Sequence, residues 1–116
     1  VVGIYYSASW CAPCRKFTPL LSAVHEKKKA LKKGFEVIFV CWDKGVNGWS
    51  KEQKYYHKMP FKAIPFENVN KAKKALSSFL PTPKGIPALH LVDTATGELL
   101  DANGRQAVTA EVALHA

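Results

Sequence analysis

The sequence has 116 residues, of which 47% are apolar and 11% aromatic, so it suits one compact domain with one core. The net charge is +8, and no apolar stretch approaches the roughly 20 residues that cross a bilayer, which excludes a membrane-spanning protein. We expect a single domain over residues 1–116. Because the sequence starts within a predicted strand and stops within a predicted helix, we expect it to begin and end inside the fold.

The excess positive charge does not point to nucleic acid. The lysines form two groups on the predicted outer faces of two helices, without interleaved aromatic residues or a nucleic-acid-binding motif. This arrangement predicts solvated helix faces rather than a nucleic-acid surface. The two groups are Lys27, Lys28, Lys29, Lys32 and Lys33, and then Lys71, Lys73 and Lys74.

The first half of the sequence predicts a strand, a helix and a second strand. Residues 1–6 and 35–41 are short runs rich in β-branched and aromatic residues, typical of buried strands. Between them, apolar residues recur at helical spacing as far as Leu31, with Pro19 inside the pattern and Gly34 placed to stop the helix. This order predicts a parallel, right-handed unit.

The second half predicts a less regular series of elements. Asn70 is the expected N-cap of the best helix there, and Phe79 is expected on its apolar face. In chain order the predictions are a weak helix at 50–58, a helix at 71–79, a strand at 88–92, its hairpin partner at 98–100 and a last helix from 109 to 115.

Three cysteines are too few, and odd in number, for the disulfide framework of a secreted protein. A reducing compartment, the cytoplasm, is therefore expected. Cys41 lies within the second apolar strand, where a cysteine is normally a small buried hydrophobic residue.

Cys11 and Cys14 form a Cys-x-x-Cys motif where the first strand gives way to the first helix. The spare N–H groups and the positive end of the helix dipole stabilise a negative sulfur there, which lowers the pKa of the Cys11 thiol. Two intervening residues on a helical turn bring the two sulfurs close enough for a reversible disulfide. Cys11 is therefore the predicted attacking thiolate, and Cys14, one turn further in, is the resolving thiol.

The alternative use of Cys-x-x-Cys is half of a tetrahedral zinc site. The second half is missing, because no other Cys-x-x-Cys or His-x-x-x-His pair exists and the four histidines are scattered. The strand-to-helix context favours redox chemistry, which needs no metal and no bound cofactor.

The residues around the motif resemble those of a known family. Residues 7–15 read Ser-Ala-Ser-Trp-Cys-Ala-Pro-Cys-Arg, and Phe-Thr-Pro follows at 17–19. Further matches are Cys-Trp-Asp at 41–43, Lys-Met-Pro at 58–60, Ile-Pro-Phe at 64–66 and Gly-Ile-Pro at 85–87. Together this series resembles the tryparedoxins and the related nucleoredoxins. Thioredoxin itself fits less well, because Tyr5 stands where that family has a buried acid.

The resemblance implies an α/β thioredoxin fold, with a central mixed β-sheet flanked by helices. It also implies that Pro87 is a cis-proline facing the disulfide, although a proline there could instead simply begin a strand. The two tryptophans beside the sulfurs would form a docking rim, or else belong to the core. The implied substrate-binding residues are Trp10, Ala12, Pro13, Arg15, Trp42, Asp43, Ile86, Pro87 and Arg105.

The implied function is a monomeric dithiol electron carrier, from trypanothione or a similar small dithiol to protein disulfides such as those of peroxiredoxins. Ala12 departs from the family, which usually has proline there. Lys44 and Gly45 replace a common acid and weaken the case for cationic trypanothione. The alternatives are a nucleoredoxin-like regulatory reductase fed by a thioredoxin reductase, and a basic binding module in which the motif is vestigial.

Overall fold

The computed structural model describes residues 1–31, 34–42 and 59–114. The predicted helix at 50–58, together with Asp43 and Lys44, lies outside these residues. The strands are β1 (Val2–Ser7), β2 (Glu36–Cys41), β3 (Lys62–Ala63), β4 (Ala88–Val92) and β5 (Leu99–Asp101). The helices are α1 (Ala12–Ala30), α2 (Val69–Ser77), which follows a 3-10 turn at Phe66–Asn68, and α3 (Gly104–Leu114).

The five strands form one mixed sheet in the order β3-β2-β1-β4-β5. β1 runs parallel to β2, with Ser7 opposite Cys41, and antiparallel to β4, with Tyr6 opposite Ala88. β3 is parallel to β2, and β5 is antiparallel to β4. The ends of β1 and β2 and the start of β4 therefore meet at one edge of the sheet, and this is the edge that carries Cys11.

The core lies around the central strand. Tyr5 of β1 is fully buried, and its ring makes edge contacts with Phe17 of α1, at 5.7 Å between centroids, and with Phe61, at 6.1 Å. Leu21 of α1 and Leu89 of β4 are buried in the same cluster. Burial of each such side chain stabilises the fold by about 1.5–3 kcal/mol, so the sheet and α1 are held together mainly by apolar packing.

Several helix boundaries differ from the predictions. α1 ends at Ala30, so the prediction that Leu31 belongs to its apolar face was wrong; Leu31 is exposed. Gly34 follows with φ +62°, in the left-handed region that glycine adopts without strain. The last helix begins at Gly104 rather than at 109. It is preceded by a turn in which the Asp101 carboxylate accepts a hydrogen bond from the Asn103 backbone N–H.

The cap of α2 was also predicted wrongly. The 3-10 turn begins the winding early, so Asn68 occupies the N-cap position and Asn70 lies inside the helix. Asn68 makes no side-chain capping hydrogen bond. Phe79 falls beyond the helix and is exposed, so it is not part of the apolar face. The prediction missed β3, which is only two residues long.

Within the described part of the chain, no helix is both long enough and apolar enough to cross a membrane.

Gly104 marks a close approach between α3 and the sheet. A β-carbon there would lie 2.9 Å from the backbone oxygen of Leu89 and 3.0 Å from Cγ of Leu91. We expect Gly104→Ala to lower the free energy of unfolding by about 1–3 kcal/mol, because backbone must shift to admit the methyl group. Urea denaturation would measure this loss.

Gly85→Ala is the matched control, since a β-carbon at Gly85 meets nothing within 4 Å. Its free energy of unfolding should change by no more than about 1 kcal/mol. Equal losses in the two variants would contradict the steric explanation.

Candidate active site

The two motif cysteines lie at the junction of β1 and α1. Cys11 directly precedes the first residue of the helix, and Cys14 is the third residue within it. They are joined by a disulfide, with their α-carbons 5.2 Å apart. Cys11 is 5% exposed and Cys14 is fully buried. The predicted proximity of the two sulfurs is therefore confirmed, and Cys11 is the more exposed of the two cysteines.

The first turn of α1 is arranged to stabilise negative charge on Cys11. The backbone N–H of Cys14 donates a hydrogen bond to Sγ of Cys11, at 3.3 Å. The positive end of the helix dipole acts in the same direction. When the disulfide is reduced, both effects favour a thiolate on Cys11.

The loop that leads into β4, the neighbour of β1, faces Cys11. The peptide bond between Ile86 and Pro87 is cis, as the family resemblance implied. The carbonyl oxygen of Ile86 lies 3.7 Å from Sγ of Cys11. Arg105 of α3 donates a hydrogen bond from Nη1 to the carbonyl oxygen of Pro87, at 3.2 Å, and its guanidinium lies over the Phe17 ring. Arg105 therefore links this loop to α3 and to α1.

The two tryptophans have different environments. Trp10 is 60% exposed next to Cys11, so the alternative that it is a core residue was wrong. Trp42 is half-buried and packs with Ile86 against the cluster of Ala8 and the two cysteines. The Trp42 backbone N–H donates to the Ser7 carbonyl at 2.8 Å, which fixes the indole beside the junction.

The remaining predicted residues of the motif lie on the surface. Ala12, Pro13 and Arg15 are exposed, and Arg15 donates from Nη1 to the Ser9 carbonyl oxygen at 2.6 Å. Trp42 and Ile86 pack on the motif, whereas Arg105 is connected to it only through the Pro87 carbonyl and the Phe17 ring. Asp43 is outside the described ranges.

Two polar contacts beneath Cys14 were not foreseen. Thr18 donates a hydrogen bond to the Cys14 carbonyl oxygen at 2.9 Å, one helical turn back. The Tyr5 hydroxyl lies 2.6 Å from Oγ1 of Thr18. Because the Thr18 hydroxyl hydrogen is already donated to Cys14, Tyr5 is the donor in this second hydrogen bond. Both side chains are buried. The spacing of four residues between Cys14 and Thr18 is the signal that was available in the sequence.

Tyr6 and His90 lie together on the Trp42 side of the sheet. Their rings are 5.4 Å apart, and Tyr6 also contacts the Trp42 ring at 6.2 Å. Burial raises the pKa of Tyr6 and lowers the pKa of His90. Both groups are therefore neutral near pH 7 and add no charge to this side of the site.

Cys41 is a buried cysteine in β2 that takes no part in the Cys11–Cys14 disulfide. Residues 1–31, 34–42 and 59–114 contain no cluster of three or more His, Cys, Asp or Glu side chains that could hold a metal ion.

The hydroxyl contacts make a testable prediction about stability. Thr18→Val removes the donor to Cys14 and leaves the Tyr5 hydroxyl without this partner, so we expect a loss of about 1–3 kcal/mol in the free energy of unfolding. Because Tyr5→Phe removes the other member of the pair, the double variant should be less destabilised than the sum of the single variants, by about 0.5–2 kcal/mol. Urea denaturation of all four proteins measures this coupling, and additive losses would contradict it.

The sulfur environments predict unequal reactivity. In the reduced protein, iodoacetamide should modify Cys11 first, with a rate that rises around a pH below the ~8.5 of a free thiol. Cys14 should react slowly because it is fully buried. Mass spectrometry of peptides from timed alkylation across pH 5–9 identifies the modified residue. Equal rates for the two cysteines at every pH would overturn the assignment of roles.

Comparison with known proteins agrees with this geometry. Residues 1–99 match the model of a family described as thioredoxin-like. The chain is 36% identical to a tryparedoxin of Trypanosoma brucei brucei over 107 residues, which are 92% of this chain and 70% of that protein. A structure of tryparedoxin II in complex with glutathionylspermidine superposes with a TM-score of 0.80 at 36% identity, covering 97% of this chain and 74% of that one.

Human nucleoredoxin is 35% identical over 104 residues, which are 90% of this chain but only 22% of that protein. The chain thus spans about a fifth of the nucleoredoxin and most of the tryparedoxin. The superposition confirms the predicted α/β thioredoxin fold with its mixed sheet. The chain therefore belongs to the tryparedoxin and nucleoredoxin branch of the thioredoxin-like proteins, and it is a thiol-disulfide oxidoreductase.

Proposed function

We propose that this protein is a monomeric, cytoplasmic dithiol carrier that takes electrons from trypanothione or a similar small dithiol and passes them to protein disulfides such as those of peroxiredoxins. The observation that carries the proposal is the Cys11–Cys14 pair, with a donor on Cys11 and the Ile86 carbonyl facing it. The pair itself carries the two electrons, so no bound cofactor is required.

The reaction begins with the reduced pair. The Cys11 thiolate attacks one sulfur of the partner's disulfide, forms a mixed disulfide and releases the partner's other sulfur as a thiolate, which takes up a proton. Cys14 then loses its proton and attacks the Cys11 sulfur, which releases the partner's second thiolate. The partner has gained two electrons, and Cys11 and Cys14 are again a disulfide. A small dithiol restores the pair by the same two exchanges in reverse.

The surrounding residues have separate roles in this cycle. The Ile86 backbone, next to Cys11, offers strand-like hydrogen bonds to an incoming segment. Trp10 supplies an exposed apolar surface beside the sulfur. Ala12, Pro13 and Arg15 form the adjacent surface, and Trp42 packs against the pair. Asp43, which follows Trp42 in the sequence, is proposed as a further partner contact on the family resemblance alone. Arg105 holds the Pro87 carbonyl, which keeps the loop in place while partners exchange.

The related structure in complex with glutathionylspermidine supports a polyamine-linked thiol as the electron donor. Lys44 argues in the other direction, because a lysine next to Asp43 repels a cationic linker. Lys44 therefore favours the second candidate, a nucleoredoxin-like regulatory reductase fed by a thioredoxin reductase. The 35% identity to human nucleoredoxin also supports this candidate.

The test is reduction of an oxidised peroxiredoxin with each electron source in turn. Trypanothione with its reductase should sustain turnover, and thioredoxin reductase should not. Cys11→Ser should abolish turnover, whereas Cys14→Ser should accumulate a mixed disulfide because the resolving thiol is absent. Cys41→Ser is the matched control and should keep most of the activity, since Cys41 is not one of the two cysteines of the disulfide. Turnover only with thioredoxin reductase would establish the second candidate instead.

Lys44→Glu separates the two candidates at one residue. A like-charge pair at an exposed site costs on the order of 1 kcal/mol at low salt, so restoring an acid should lower the KM for trypanothione several-fold. The KM for a neutral dithiol should change little, and the gain should fade as salt screens it. The same charge change at Lys27, near the far end of α1, should have no such effect. A salt-independent change, or none, would favour the nucleoredoxin-like candidate.

A further inference from the structure

Three cationic residues lie on three different segments that adjoin the disulfide. Arg15 lies on the first turns of α1, Lys73 lies in the middle of α2, and Lys84 lies in the loop that leads to Ile86. Arg15 and Lys84 are exposed. Together these three side chains form the cationic rim.

Lys73 was predicted to belong to a solvated helix face, but it has a more specific position. Its ammonium group lies over the Trp42 ring, 5.2 Å from the centroid. Trp42 in turn packs against Cys11 and Cys14. A positive charge is therefore held beside the disulfide by an aromatic ring rather than extended into solvent.

The other two members are tied to the site by the backbone. Arg15 is anchored on the Ser9 carbonyl, at the turn that precedes the motif. Lys84 is two residues before Ile86, whose carbonyl oxygen is 3.7 Å from the Cys11 sulfur. Two residues of chain span at most about 7 Å, so the Lys84 backbone is close to the site. No carboxylate in the described residues forms an ion pair with Arg15 or Lys84.

Most of the described carboxylates lie at the opposite end of the sheet. Glu36 pairs with Val2, at the start of β1, and Asp93 and Glu98 flank the turn that follows Val92, which also pairs with Val2. Glu26 and Glu111 lie late in α1 and α3, where Glu111 pairs with Lys28. Of the two remaining described carboxylates, Glu67 precedes α2, and Asp101 accepts a hydrogen bond from the Asn103 backbone N–H.

We propose that the cationic rim selects protein disulfides whose cysteines are flanked by acidic side chains. This inference rests on the proposed function and concerns only its electron acceptor. A protein segment fits better than a small anion, because the cations lie on separate segments around the disulfide and the cleft beside Trp42 and Lys73 has a volume of only about 50 Å³. Pockets for small ligands are typically ~300–1,000 Å³. Charge complementarity then speeds encounter before thiol exchange begins.

The exchange itself follows the proposed cycle. The Cys11 thiolate forms a mixed disulfide with one cysteine of the acidic segment, the other partner cysteine leaves as a thiolate and is protonated, and Cys14 closes the pair. The rim takes no part in bond making. Its effect should therefore appear in kcat/KM and not in the rate of exchange once the partner is bound.

The test uses three disulfide-bridged peptides that differ only in the residues beside their cysteines, which are Glu, Gln or Lys. With dithiothreitol as the electron source, kcat/KM should fall in that order, by about tenfold from the Glu to the Lys peptide at low salt. At ~1 M salt, where the screening length is ~3 Å, the three values should converge.

Variants assign this preference to the rim. Lys84→Glu should reduce the Glu-to-Lys ratio about threefold or more, and Lys73→Met, which keeps the aliphatic stem, should reduce it about twofold. Lys27→Glu makes the same charge change about 24 Å from the motif along α1, at ~1.5 Å per residue, and should keep the wild-type ratio.

Two results would overturn the inference, and they are distinguishable. If the neutral peptide is reduced well but the three peptides are equivalent, or their order is insensitive to salt and to Lys84→Glu, the rim does not select acidic partners and the carrier function stands. If no peptide is reduced, including the neutral one, the proposed function itself is wrong and the inference fails with it.

Discussion

The hydrogen bond from the Cys14 backbone N–H to the Cys11 sulfur is the interaction on which the proposed function depends. It exists only because α1 begins immediately after Cys11, at the exit of the central strand. A helix that began two residues later would turn this N–H away and would move the positive end of the dipole from Cys11 to Cys14. The position of one helix start therefore decides which cysteine carries negative charge.

The rest of the fold holds that helix start in place. β1 has a neighbour on each side, so its exit is fixed by pairing with β2 and with β4. Below the motif, Tyr5 and Thr18 connect the strand to the Cys14 carbonyl through buried hydroxyls. On the other side, Arg105 fixes the Pro87 carbonyl. The disulfide thus sits between a strand, a helix and a loop that are each separately restrained.

Much of this was predictable from sequence, for identifiable reasons. The buried strands at 1–6 and 35–41 and the redox pair carry strong local signals, apolar runs in one case and a fixed spacing in the other. The helix ends carry no such signal. Leu31 and Phe79 continue the apolar pattern of their helices although the backbone has already left the helix. Lys73 was misjudged since its position over Trp42 depends on a contact between distant segments, which no local pattern encodes.

The two outermost strands have a consequence for how partners attach. In the described part of the chain, β3 has two residues and β5 has three, and they form the two borders of the sheet. Borders this short present few unpaired backbone groups, so they are poor templates for another chain's strand and oppose aggregation through the sheet. In the proposed cycle, an incoming segment that seeks main-chain bonds finds them instead at Ile86, whose carbonyl oxygen lies beside the Cys11 sulfur. The proposed function thereby confines recognition and chemistry to the same few ångströms of backbone.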